Sequence, residues 1–270
     1  MLMIRIGTSG FSFDDWKGTV YPQGLKKNDW LAFYEKELGF KALEVNFTYY
    51  ALASQKSFEG MSRKTSDDFE FVVKAHRDMT HNIRDRATKK IVDTGSVCEK
   101  FIFSLEPLMR DKKLSCVLMQ FPFSFHCSRD NVEYLRRIRD LAAGIPVVVE
   151  FRNRAWLREE TFSFLREHDM GYCAVDEPRL KGLVPFVSET TSSIGYLRLH
   201  GRNKKWFDSP MSVRYNYCYT DEELKGFVGP VRTMDGRVRK MLVFFNNCHA
   251  GHAAKNAVRM AHMLLGDKTV

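Results

Sequence analysis

No stretch of the 270-residue chain approaches the roughly 20 consecutive apolar residues that span a bilayer, so the sequence offers no membrane span. The segment Met1 to Gly7 runs straight into strand-like sequence. It lacks the apolar core and small-residue cleavage site of a secretion signal. None of the six cysteines (98, 116, 127, 173, 218 and 248) stands in C-x-x-C spacing, which removes support for a zinc ribbon or a dithiol redox motif. Cys116 and Cys173 lie in apolar runs and read as core thiols. Reduced cysteines and a cytosolic location are therefore expected. There is no G-x-S-x-G elbow. The one early glycine cluster, Gly7-Thr8-Ser9-Gly10, is neither a dinucleotide fingerprint nor a Walker loop.

What is present is core-forming residues and charge. Hydrophobic residues make up 44% and aromatics 13%, ample for a large core, and 28% charged residues argue against disorder only together with that apolar content. Lys and Arg number 42 against 33 Asp and Glu, a net +9 that suits anionic partners: a phosphorylated small molecule, a nucleic-acid backbone or an acidic surface. The basic residues are scattered, which also fits plain solubility.

The stretch Pro146-Val147-Val148-Val149-Glu150-Phe151-Arg152 sets the pattern. Its β-branched run reads as a buried strand. Alternation puts Val148, Glu150 and Arg152 on one face and Val147, Val149 and Phe151 on the other. Two charges on a previously apolar face need partners or an opening to water. The same design recurs in strands expected at residues 4–10, 42–47, 69–76, 115–122, 171–176, 194–201 and 240–247. Between them lie helical patterns. One is capped by Asn28 or Asp29, one spans about 54–63 and one 96–109. Another is capped by Ser128, a further one spans 159–168, one opens at the Thr220–Glu223 capping box, and the last spans 253–265. Residues 77–95, 177–193 and 202–219 read as long irregular connections, where function often resides. Eight β/α units in one chain without a linker predict a single (β/α)8 TIM-type barrel over residues 1–270. A doubly wound sheet is the rival, and it would normally carry the missing glycine motif.

Seven motifs in order resemble those of the YecE-like family. They are Gly7-Thr8-Ser9-Gly10 with Trp16, Gly18, Tyr21 and Pro22; Glu44-Val45-Asn46 with Thr48 and Tyr50; and Val73-Lys74-Ala75 with Thr80-His81. Gln120-Phe121-Pro122 with Ser124-Phe125, Val149-Glu150-Phe151-Arg152 with Trp156, Arg198 with His200-Gly201, and Phe245-Asn246-Asn247 with Asn256-Ala257 complete the set. The resemblance implies a TIM-type barrel in a widespread family with no securely assigned activity. The chain departs from the family pattern at three places. Phe11 and Phe13 replace Trp and Tyr, Asn153-Arg154 replaces a common His-Pro, and His76 stands where proline is common.

In such a barrel the C-terminal strand ends share one mouth. The residues expected there as acid–base groups are Glu44, Glu150, His200 and Asp176. Those expected to bind substrate are Ser9, Asn46, Lys74, His76, Gln120, Arg152, Arg198, Asn246 and Asn247. Three readings follow, and none names a cofactor. In the first, Lys74, Arg152 and Arg198 hold a small phosphate- or carboxylate-bearing ligand, with Glu44 or Glu150 as acid or base and His200 as relay. Its plain alternative is a buried ion network with no chemistry. In the second, Glu44, Glu150, Asp176, His76 and His200 hold metal for a phosphodiesterase on nucleic acid, aided by the basic Arg202–Phe207 segment. Lys74 and two arginines beside the carboxylates argue against it. In the third, the aromatics near the mouth make a non-catalytic stacking pocket.

Overall fold

A computed structural model describes residues 3–207 and 209–266; the ends of the expected domain, and Asp208 within the expected 202–219 loop, lie outside the described residues. Eight parallel strands form one sheet in the order β1-β8-β7-β6-β5-β4-β3-β2. They are β1 (Ile4–Thr8), β2 (Ala42–Val45), β3 (Glu70–Lys74), β4 (Leu114–Gln120), β5 (Val147–Glu150), β6 (Met170–Asp176), β7 (Ile194–Leu199) and β8 (Lys240–Phe245). The helices are α1 (Trp30–Lys36), α2 (Gln55–Arg63), α3 (Gly95–Arg110), α4 (Arg129–Leu141), α5 (Glu159–Glu167), α6 (Met211–Arg214), α7 (Asp221–Asp235) and α8 (His252–Leu265). This is the expected (β/α)8 barrel, nearly closed. Among the described residues no helix is long and apolar enough to cross a membrane.

Strand alternation sorts the core into two parts. Val148, Val72, Leu118, Cys173, Tyr196, Leu242 and Phe244 fill the barrel interior. Val147, Val149, Phe151 and their counterparts pack outward against the helices. The six cysteines are free, and Cys116 and Cys173 are buried. At the N-terminal pole the barrel is plugged by Glu70, which takes Lys240 Nζ at 2.5 Å and faces Arg5 Nε at 3.5 Å.

The ladder is open between β1 and β2, and a side chain spans the gap. Tyr34, from α1, accepts a hydrogen bond from Thr8 N at 2.8 Å and donates to the Ala42 carbonyl at 3.1 Å. The two backbones approach so closely that a Cβ at Gly7 would lie 2.1 Å from the Ala42 oxygen. Beyond this relay, Gly10 N donates to the Glu44 carbonyl at 2.9 Å and completes the ring.

Strand C-termini differ from expectation in a consistent way: the ladders of β1, β2, β3, β4, β5, β7 and β8 stop about two residues early. Asn46, His76, Arg152, His200, Asn246 and Asn247 therefore sit on the first turns beyond the sheet. The expected 202–219 loop also contains the single turn α6. Replacing Tyr34 by Phe leaves the Thr8 N–H and Ala42 C=O buried and unpaired, so a loss of about 1–3 kcal/mol in urea unfolding is expected.

Candidate functional site

The centre of the mouth is the guanidinium of Arg198, at the end of β7 and 1% exposed. It forks onto Glu44, with Nε to Oε2 at 2.9 Å and Nη2 to Oε1 at 2.6 Å. Its Nη1 donates to Glu150 Oε2 at 2.5 Å. Tyr196, two residues back on the same face, donates to Glu44 Oε2 at 2.7 Å. Arg152 continues the network. Its Nε donates to Glu150 Oε1 at 2.5 Å, Nη1 to Glu177 at 2.7 Å, and Nη2 lies 3.0 Å from His200 Nε2. His200 Nδ1 meets the Asn246 amide at 2.9 Å.

Glu44, Glu150 and His200 are fully buried. The guanidiniums of Arg152 and Arg198 hold the Glu150 carboxyl well below the usual range despite its burial. Such a group cannot act as a general acid near neutral pH. The oxygens of Glu44 are all taken by Arg198 and Tyr196. Both carboxylates thus orient guanidiniums. Burial, reinforced by the Arg152 charge, lowers His200 to about 3 and keeps it neutral. A neutral imidazole accepts at one nitrogen only, so His200 takes a hydrogen bond from Arg152 at Nε2 or from Asn246 at Nδ1, not from both.

In front of this network lies a cavity of about 810 Å³. Ser9, Asn46, Lys74, Gln120, Arg152, Arg198 and Asn246 line it, as expected for the mouth. Glu44, Glu150 and His200 are buried behind it, and three further expected residues lie elsewhere. His76 turns away because the backbone leaves β3 at Ala75. Its Nδ1 caps the following turn, accepting from Asp78 N at 3.3 Å. Asp176 is clamped by Arg202 Nε at 2.8 Å and Tyr219 OH at 2.7 Å. It borders a second cavity of about 800 Å³, on whose wall Glu177 also lies. Asn247 is buried, donating to the Tyr217 carbonyl and to Asn256, both at 2.8 Å.

Tyr49 and Trp206, two of the aromatics expected near the mouth, form walls of the cavity. His81, Arg214 and Tyr215, from the connections after β3 and β7, line it without having been expected as site residues. The guanidiniums of Arg152 and Arg214 each lie 5.7 Å from the Trp206 ring centre. Of these three, His81 left a trace in the sequence, in the Thr80-His81 pair of the third motif. Long connections carry no periodicity from which inward-facing residues could be chosen.

Lys74 differs from every other charge at the mouth. Among the described residues its Nζ has neither an ion pair nor a hydrogen bond. It sits 4.6 Å from the centre of the Tyr49 ring. Burial and the Arg198 charge lower it to about 7, against the upward pull of Glu150 and Glu44. His81, edge-on to Tyr49 at 4.9 Å, is lowered to about 4 by burial and then by Lys74. The cavity therefore holds an amine near its own pKa, able to take a proton at neutral pH, beside an imidazole that stays neutral.

The five side chains of the metal reading are not gathered: His76 and Asp176 point elsewhere and the two glutamates are bonded to arginines. Among the described residues there is no group of three or more His, Cys, Asp or Glu placed to hold a metal ion.

Fold and site together define a TIM-type barrel protein with a cation-lined mouth at the C-terminal strand ends. The profile of the family described as "Protein of unknown function DUF72" matches residues 5–269, and the chain belongs to that family, of which YecE-like is another name. The UPF0759 protein YunF of Bacillus subtilis is 32% identical over 97% of this chain and 95% of its own length. A DUF72 crystal structure from Thermotoga maritima is 45% identical, with a TM-score of 0.90 over 97% of this chain and 99% of that one. One from Enterococcus faecalis is 27% identical, with a TM-score of 0.84 over 97% and 95% of the two chains.

Removing the central guanidinium, Arg198→Met, leaves Glu44 and Glu150 buried without their partner. A loss of about 3–5 kcal/mol in denaturant unfolding is expected. Lys74→Met acts in the opposite direction. With its pKa lowered from 10.5 to about 7, the unfolded chain binds more protons at this residue between those values. Stability then rises with pH across that window. The wild-type amine is a full penalty below about pH 7, and the penalty has gone by about pH 10.5. Unfolding at pH 6 should show Lys74→Met more stable than wild type, with the gain shrinking by pH 10.

Proposed function

We propose that the mouth binds, and acts upon, a small ligand bearing a phosphate or carboxylate. The observation that carries this reading is the character of the lining. Lys74, Arg152, Arg198 and Arg214 face the cavity, against a single carboxylate among the described residues, Asp15. Asp15 is at the rim and already accepts from Ala250 N at 2.7 Å. The buried glutamates stand behind the arginines and present guanidinium N–H groups forward, the geometry that favours oxyanions.

Donor arithmetic agrees. Arg152 has five N–H groups, of which Glu150, Glu177 and His200 take three, leaving two for a ligand. Lys74 retains all its donors. Ser9, Gln120 and Asn246 add neutral polar groups at the same level. The aromatic walls of Tyr49, Trp206 and Tyr215 shed water, which strengthens each charge–charge contact inside. Lys74 is the group that would accept a proton from the ligand, the role first expected of Glu44 and Glu150.

Inorganic phosphate, titrated at low ionic strength and followed by calorimetry and melting temperature, tests the reading. Saturable binding is expected, weakened about tenfold, ~1.4 kcal/mol, by Arg214→Ala and weakened also by Lys74→Met. Phosphate that stabilises wild type and both variants equally, or does not bind, overturns it.

A further inference from the structure

Resting on that reading of the mouth, we infer that Lys74 is a nucleophile toward carbonyl carbon, and that the ligand class is a small oxo acid or carbonyl phosphate held as a protonated imine on Nζ. The first observation is the amine's lack of partners. A half-buried lysine ordinarily ends in a carboxylate or a set of carbonyl oxygens. Among the described residues Lys74 has neither, and its Nζ lies over the Tyr49 ring face at 4.6 Å.

The second is the company around it. From β7 and β5 the guanidiniums of Arg198 and Arg152 face the amine. Glu44 from β2 and Glu150 from β5 lie behind those guanidiniums, and His81 and Tyr49 close the side. Adjacent cations and burial keep a large share of the amine unprotonated near neutral pH, the state a nucleophilic lysine requires.

The step balances without an oxidant. The Nζ lone pair attacks the carbonyl carbon, and the C=O pair moves to oxygen and takes a proton, giving a carbinolamine. Loss of that hydroxyl as water, with one further proton, leaves C=N–H⁺. The protons exchange with solvent at the open mouth, and neutral His81 adds no further cation beside Nζ. The anionic end of the ligand meanwhile rests on the free donors of Arg152 and on Arg214.

The test uses the whole chain with glyoxylate, and separately with pyridoxal 5′-phosphate, in the presence of sodium cyanoborohydride, followed by intact-mass measurement and peptide mapping. One reduced adduct per chain is expected, on the peptide containing Lys74. It should form about tenfold or more faster than any adduct at an exposed lysine, whose amine is almost wholly protonated at pH 7. Its rate should level off above about pH 7. Inorganic phosphate should slow it, and Lys74→Arg should remove it. Mapping wild type alone decides the matter if the variant does not fold. Adducts spread over exposed lysines with Lys74 unmodified, while phosphate still binds, overturn the imine and leave the anion reading standing. Absence of both phosphate binding and the Lys74 adduct overturns the two together.

Discussion

Arg198 is the constraint on which the mouth depends. A guanidinium with 1% exposure is tolerable only if its donors are met, and Glu44 and Glu150 meet them from opposite sides of the barrel. Satisfying one residue therefore fixes the relative position of β2, β5 and β7. Arg152 is then held by the other oxygen of Glu150, and Glu177 by Arg152. Breaking any member exposes its neighbours to the cost of an unpaired buried charge. The network is at once the top layer of the barrel core and the floor of the cavity.

That dual position gives the most conspicuous carboxylates a structural task. Charge in the interior must be neutralised whether or not chemistry occurs, so a glutamate at a strand end can be wholly structural. The group left without a partner is the informative one. Lys74 lies one strand away from β2, within the field of the same guanidiniums, yet bonded to none of their carboxylates. Its environment spends stability on holding a cation beside cations, a cost that native folds carry where function requires it.

Much of this was legible in the sequence. Alternation in Val147 to Arg152 placed Glu150 inward and Phe151 outward correctly, because a two-residue period leaves no choice once the apolar face is known. Arg198 and Lys74 followed by the same rule. The rule failed where its premise failed. His76 lies two residues beyond Lys74, but the chain has already left β3, so parity no longer predicts direction. Asn247 and Asp176 are at strand ends yet find partners on the helix side, Asn256 and Arg202, which are distant in sequence. His81, Arg214 and Trp206 come from connections whose conformation is set by tertiary packing. Tyr34 sat on an apolar helical stripe, where nothing distinguished its hydroxyl from a mere edge of a ring.

Gly7 binds the two halves of this account into one mechanical unit. Any side chain there would collide with the Ala42 carbonyl and force β1 from β2. Ser9 and Glu44 lie two residues downstream of those positions, and both reach the same guanidinium. A change made deep in the greasy half of the first strand would thus be transmitted as leverage to the polar rim. At this joint, cavity shape and barrel circumference cannot drift independently.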